Sequence, residues 1–183
     1  MSNTSNSTAF KARLLCPASA SGDAPFAFIF LPKDVSDTLP RRGKTSVDAT
    51  LNGHNFRVTL EPDGQLSHWL RIDQALLESF GVNIGGTVKF SIAPVEEEPE
   101  PEVPQDLLEA LAASDDARAV WDDTTTIARV DWIHWITSAR QAKTRAKRIS
   151  DACDMLASGK RRVCCFDPSG YYSKAFSAPR AAE

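Results

Sequence analysis

The sequence predicts an α+β protein: an N-terminal split β-barrel of two pseudo-repeated hairpin units, then a small all-α domain of three to four helices. Three observations carry this. Residues 8–93 alternate apolar and polar side chains with a period of two, between turn residues. Residues 94–104 read Pro-Val-Glu-Glu-Glu-Pro-Glu-Pro-Glu-Val-Pro, a composition that continues neither sheet nor helix. Residues 104–160 return to apolar spacings of three and four.

Residues 1–7 are rich in Ser, Asn and Thr and read as a disordered tail. They lack the basic start and apolar stretch of a secretory signal. The barrel domain spans residues 8–93. Phe10 to Leu14 alternates, and Phe26 to Leu31 is a continuous apolar strand. Val47, Ala49 and Leu51 alternate up to Asn52-Gly53, a strong hairpin signal, and Phe56, Val58 and Leu60 leave it. Pro62-Asp63-Gly64 is the next turn, followed by a strand from Leu66 to Ile72. Val88, Phe90 and Ile92 close the series. Short helices are expected over Lys33 to Leu39 and over Asp73 to Phe80, with Asp73 as N-cap.

A shift of 41 residues superimposes Leu31 on Ile72, Val35 on Leu76, Leu39 on Phe80, Val47 on Val88, Ala49 on Phe90 and Leu51 on Ile92. Either the half is an internal repeat, or two hairpins merely share alternation. Read as a repeat, with Leu31-Pro32 before one short helix and Gly85-Gly86-Thr87-Val88 before the last strand, it resembles the split barrel of AbrB- and MazE-type proteins. Those proteins close one barrel with two chains; here one chain supplies both units.

Residues 94–103 are an acidic Pro/Glu linker, either solvated throughout or docked on a basic surface elsewhere. In the helical domain, 104–160, Pro104 suits a first turn and Leu107, Leu108 and Leu111 form a stripe. Ser114 or Asp115 caps a second helix, and Thr124 or Thr125 a third. Ala128, Trp132, Trp135, Ile136 and Ala139 share one face. That phase fails beyond Arg140 and a new stripe starts with Ala142, Ala146, Ile149, Cys153 and Leu156, so a break is expected between Arg140 and Thr144. Gly159 ends the last helix. Residues 161–183 read as a loosely ordered tail.

Residues 103–159 resemble the YdeI/OmpD-associated, or bacteriocin-protection, family. The matching residues are Val103-Pro104, Leu107, Ala110-Leu111, Trp132-Ile133, Ala139-Arg140, Thr144-Arg145, Arg148-Ile149 and Gly159-Lys160. Family members usually carry Lys where Arg140 stands. The resemblance implies that the preceding residues, 8–93, are a small β-barrel domain of unknown function. It implies a bacterial protein with a role in envelope stress or in tolerance of cationic antimicrobial peptides or bacteriocins. It transfers no catalytic residue.

The net charge is −3, and nothing global marks a nucleic-acid or membrane partner. No apolar run is long enough to span a membrane. With no signal peptide, Cys16, Cys153, Cys164 and Cys165 are expected reduced in the cytoplasm. The candidate anion- or partner-binding residues are Arg140, Lys143, Arg145, Lys147 and Arg148. Lys143 and Lys147 lie opposite the apolar stripe, and Asp151 is placed to pair with Lys147. Arg145 and Arg148 lie at its edge. They either pair with an acid of the first or second helix of this domain, such as Asp116 or Asp122, or grip a phosphate or carboxylate.

Trp69, Trp121, Trp132 and Trp135 read as core, and His134 as solvent-facing. Cys164-Cys165 lacks the spacing of a zinc pair, although Lys160, Arg161 and Arg162 beside it favour a lowered thiol pKa. No phosphate loop, nucleophile elbow or carboxylate pair is present. The expectation is therefore a non-enzymatic binding module without cofactor or metal, a monomer or weak dimer, with an unknown protein or anionic ligand as partner. A nucleic-acid-binding regulator built on the barrel, where Arg41, Arg42 and Lys44 cluster, is the alternative and is not favoured. A small-molecule-binding protein is the third.

Overall fold

The computed structural model describes residues 6–19 and 25–183. The tail expected over residues 1–7 lies, up to residue 5, outside the described residues. Two compact units result. One holds the described residues through Glu97 together with Ser169–Glu183, and the other is Glu98–Pro168.

The first unit is built from β1 (Thr8–Arg13), β2 (Phe26–Phe30), α1 (Lys33–Ser36), β3 (Thr45–Leu51), β4 (His54–Pro62), β5 (His68–Asp73), α2 (Gln74–Phe80) and β6 (Thr87–Pro94). All pairings are antiparallel, in the order β1-β6-β3-β4-β5-β2. The sheet curls until its edges meet: Leu15 and Phe28 exchange two backbone hydrogen bonds of 2.9 Å. Leu14, Ile29, Leu51, Leu60, Leu70, Ile72, Phe90 and Ile92 fill the interior.

The internal repeat is visible in the pairing. Strand, helix and strand run as β2-α1-β3 and again as β5-α2-β6. Positions 41 apart face each other where like strands meet, Ile29 opposite Leu70 and Thr50 opposite Ser91. A pseudo-two-fold relates the two hairpin units.

Local chemistry explains the punctuation. Asn52 (φ 47°) and Gly53 (φ 88°) are both left-handed, which the tight β3-β4 hairpin requires. At the next turn Asp63 Oδ1 accepts the amides of Gln65 and Ser67 at 2.7 and 2.9 Å. Helix α1 stops at Ser36, three residues before the expected end, because Leu39 precedes Pro40 and is steered out of the helical region. Asp73 does occupy the N-cap position of α2, but its carboxylate takes Arg71 Nε (2.8 Å) and caps nothing.

The second unit holds four helices: α3 (Gln105–Ala112), α4 (Asp115–Asp123), α5 (Thr126–Thr137) and α6 (Ala142–Ala157). Ser114 Oγ caps α4 by accepting Ala117 N, and Thr125 Oγ1 caps α5 by accepting Ala128 N. Gly159 (φ 93°) closes α6, with Gly159 N donating to Leu156 O and Lys160 N to Met155 O, both orphan carbonyls of the last turn. Leu107, Leu111, Trp121, Trp132, Ile136, Ile149 and Leu156 form the core.

Two features differ from the sequence reading. His134 is buried at 5% exposure, because α5 is covered on more than its aromatic face. Residues after α6 lie across that helix: Arg161 O accepts Trp132 Nε1 at 3.1 Å, and the Phe166 ring stands edge-on to His134 at 5.4 Å. Further on, residues 169–183 return to the barrel. Ala18 N donates to Arg180 O and Ala182 N to Cys16 O, and the Phe176 backbone sits against Gly64.

Candidate functional site

The five candidate cations lie at the elbow between α5 and α6 and along the first turns of α6. The structure separates them into three kinds.

Arg148 and Arg145 are engaged. Helix α5 ends at Thr137 and leaves its last carbonyls without helical partners. Arg148 Nη1 reaches back to one of them, Trp135 O, at 2.5 Å, and to Ser138 Oγ at 3.2 Å, while its guanidinium lies 5.4 Å from the centre of the Trp135 ring. A cation there also opposes the negative end of the helix. Arg145 grips Asp106 with both arms, Nε to Oδ2 at 2.7 Å and Nη2 to Oδ1 at 3.0 Å, so α6 is clamped to α3. The arginine holds the Asp106 carboxyl below its usual pKa by hydrogen bonding first, and the carboxylate raises the pKa of Arg145. The acid is thus Asp106 of the first helix of this unit, not Asp116 or Asp122. Asp122 is within 3.8 Å of Arg118 instead.

Lys147 is neutralised by Asp151 at 2.6 Å, one helical turn on. Arg140 and Lys143 remain. Both are exposed and neither makes an ion pair among the described residues. They flank the start of α6, where Gln141 occupies the N-cap without a side-chain hydrogen bond to the helix. The elbow therefore presents two unpaired cations on a frame fixed by two bound ones.

An arginine that the sequence did not single out organises the other end of α5. Arg129, 15% exposed, donates to Trp121 O (3.1 Å) and Thr124 O (2.7 Å), joining α4 to α5. It also pairs with Glu100 at 2.6 and 3.0 Å, and Thr126 Oγ1 donates to the same carboxylate. Both partners hold the Glu100 carboxyl below its usual range. The acidic run is docked on its own helical unit at this point. Pro99 and Pro101, which fix the backbone around Glu100, were the signal available in the sequence.

In the barrel, Arg42 bonds Asp37 (2.6 Å) and Leu66 O (2.7 Å), and Lys44 pairs with Glu61 (3.3 Å). Arg42 and Lys44 are thereby tied down. A cleft of about 270 Å³ lies on the barrel's outer side, lined by Phe26, Trp69, Ala178, Pro179 and Arg180. It is smaller than the usual small-molecule site of about 300–1,000 Å³, whereas an open cleft of about 570 Å³ beside α2, lined by Gln74, Leu77, Glu78 and Asn83, falls within that range.

The sealed pair Ser36 and His68 sits under α1. His68 Nε2 donates to Gly43 O at 2.9 Å, which leaves Nδ1 to accept from Ser36 Oγ at 2.7 Å. Burial pushes the imidazole pKa down. Neither side chain reaches solvent, so the pair holds structure and is no nucleophile. No helix of the described residues is long and apolar enough to cross a membrane.

Comparison with known proteins divides the chain at the same places. Residues 100–159 match the family model described as Bacteriocin-protection, YdeI or OmpD-Associated. Residues 10–92 match a Domain of unknown function (DUF1905). No curated protein matches the chain. The first match begins at Glu100, the residue that Arg129 holds.

Proposed function

With its helical unit a member of the bacteriocin-protection, YdeI or OmpD-associated family, the protein is, we propose, a non-enzymatic binding module that serves tolerance of bacteriocins or cationic antimicrobial peptides. Arg140 and Lys143 grip an anionic group, a phosphate or carboxylate, on its partner. Arg145 and Arg148 position them by locking α6 to α3 and to the end of α5. The observation that supports this division is the pairing pattern: four of the charges in this stretch have geometric assignments, and these two cations do not. Guanidinium and ammonium groups already committed to a carbonyl or carboxylate gain little from a second anion, whereas unpaired ones give up only hydration.

We assign the protein to the bacterial cytoplasm, on four cysteines that are all unpaired, and expect a monomer or weak dimer. The test is survival of cells challenged with a cationic peptide while expressing the wild-type chain or Arg140→Ala/Lys143→Ala at equal protein level. Loss of protection with unchanged melting supports the reading. Full protection by the double variant overturns it.

A further inference from the structure

The segment that lies across α5 contains two adjacent thiols. Regular backbone turns neighbouring side chains apart, to opposite faces in a strand and by about 100° in a helix. Cys165 instead adopts a left-handed conformation, φ 59°, and the two sulfurs come to 3.2 Å. Both residues are exposed. Either side of the pair is anchored to α5 and α4: Arg161 O accepts Trp132 Nε1 and Thr124 Oγ1 (2.9 Å), and Phe166 packs on His134. The described residues contain no group of three His, Cys, Asp or Glu placed to hold a metal, so the pair has no further ligands to complete a metal site.

We propose that Cys164 and Cys165 are an oxidation site, in which a hydroperoxide joins the two sulfurs in a disulfide between neighbouring residues and unseats Phe166 from α5. One sulfur attacks as its thiolate: it forms an S–O bond with the peroxide, the O–O bond breaks, and the leaving oxygen departs protonated as water or alcohol. The neighbouring thiol then attacks the sulfenic sulfur. The S–S bond forms, the S–O bond breaks, and the oxygen leaves as water with that thiol's proton. The sulfur pair loses two electrons and the peroxide gains them.

The contact between the sulfurs serves attack by either thiol. Cys165 is pushed up by its hydrogen bond to Cys164 and by that neighbour's charge. This corrects the expectation that the nearby bases would lower it; Lys160 does pull it down, but less than Cys164 pushes it up. Closing the small ring across one peptide bond departs from the relaxed disulfide geometry, with its Cα atoms about 4.4–6.8 Å apart. The bond is accordingly strained and easily reduced. The backbone between Arg161 and Phe166 has to move to form it, which carries the event to the aromatic cluster of α5.

The experiment uses the full chain treated with hydrogen peroxide, digested with trypsin and read by mass spectrometry. Cleavage after Arg162 and Lys174 releases one peptide, residues 163–174, whose only cysteines are these two. It should become lighter by two hydrogen atoms, regain them with dithiothreitol, and be accompanied by a change in tryptophan fluorescence. Cys165→Ser should stop at a sulfenic acid on Cys164 that a dione probe traps. Cys164→Ser should likewise stop at a sulfenic acid, on Cys165, with no S–S bond formed. Both side chains are exposed, so neither variant threatens the fold. Oxygen added to the two thiols without an S–S bond, or a disulfide between chains, would overturn the proposal. Unchanged fluorescence in the oxidised chain would overturn its coupling to α5.

Discussion

Replacing Arg148 with alanine should destabilise the helical unit far more than its surface position suggests. The side chain makes a charge-assisted hydrogen bond to the Trp135 carbonyl at the end of α5. Such bonds are worth about 1.5–3 kcal/mol, and partial exposure here argues for the lower end. The cation at the C-terminus of α5 adds about 0.3–1 kcal/mol, and the Trp135 ring about 0.5 kcal/mol at a wet site. These contributions overlap, so the expected loss is about 2 kcal/mol. For a unit of this size each kcal/mol moves the midpoint by about 4–8 °C, giving about 8–16 °C. Thermal melts followed by circular dichroism at 222 nm and by tryptophan fluorescence read it directly. Arg148→Lys should recover part of the loss, since the charge returns without the fork. Ser138 Oγ also donates to Trp135 O, at 3.0 Å, so that carbonyl is not left bare. A variant melting within about 2 °C of wild type would refute the reasoning, because it would mean that hydroxyl alone completes the helix end.

Four further outcomes follow. Arg145→Ala removes an ion pair that is one-third to one-half exposed, and should cost only about 0.2–1 kcal/mol by chemical denaturation, less than Arg148→Ala. Gly64→Ala places a Cβ 2.2 Å from Phe176 O at a φ of 76°; the return of residues 169–183 to the barrel should loosen, seen as faster trypsin cleavage after Lys174. The barrel should lose stability as pH falls below 6.5. The unfolded His68 takes up a proton there, while burial keeps the folded one neutral until its lowered pKa is reached; the loss should disappear in a His68→Gln variant whose own stability is pH-flat over that range. Anisotropy of labelled duplex DNA should show no salt-sensitive binding at physiological ionic strength, since Arg42 and Lys44 are already paired with Asp37 and Glu61; micromolar affinity that collapses with salt would revive the nucleic-acid reading.

What could be read from the sequence was whatever chain chemistry decides locally. The Asn52-Gly53 turn, the caps and the Gly159 stop depend on neighbours in the chain; of the alternatives the sequence left open, Ser114 rather than Asp115 and Thr125 rather than Thr124 are the caps. The break between α5 and α6 was legible as a change of helical phase. What the sequence could not show were partners that meet only on folding. Asp106 reaches Arg145 across 39 residues, and Glu100 reaches Arg129 across 29. His134 lies opposite the aromatic face of its own helix and is nonetheless buried, with the Phe166 ring edge-on against it. The candidate cluster was found as a run of charges, but sequence alone could not say which charges were already spent.

That distinction is the centre of this account, and an amide NMR titration of the full chain with inorganic phosphate tests it most directly. Shifts should concentrate at residues 140–144, vanish in Arg140→Ala/Lys143→Ala, and persist in weakened form in Arg145→Ala, which loses only the clamp that positions the two cations. Shifts at Arg41 to Lys44 in the barrel, or shifts at the elbow that survive loss of both Arg140 and Lys143, would contradict the distinction.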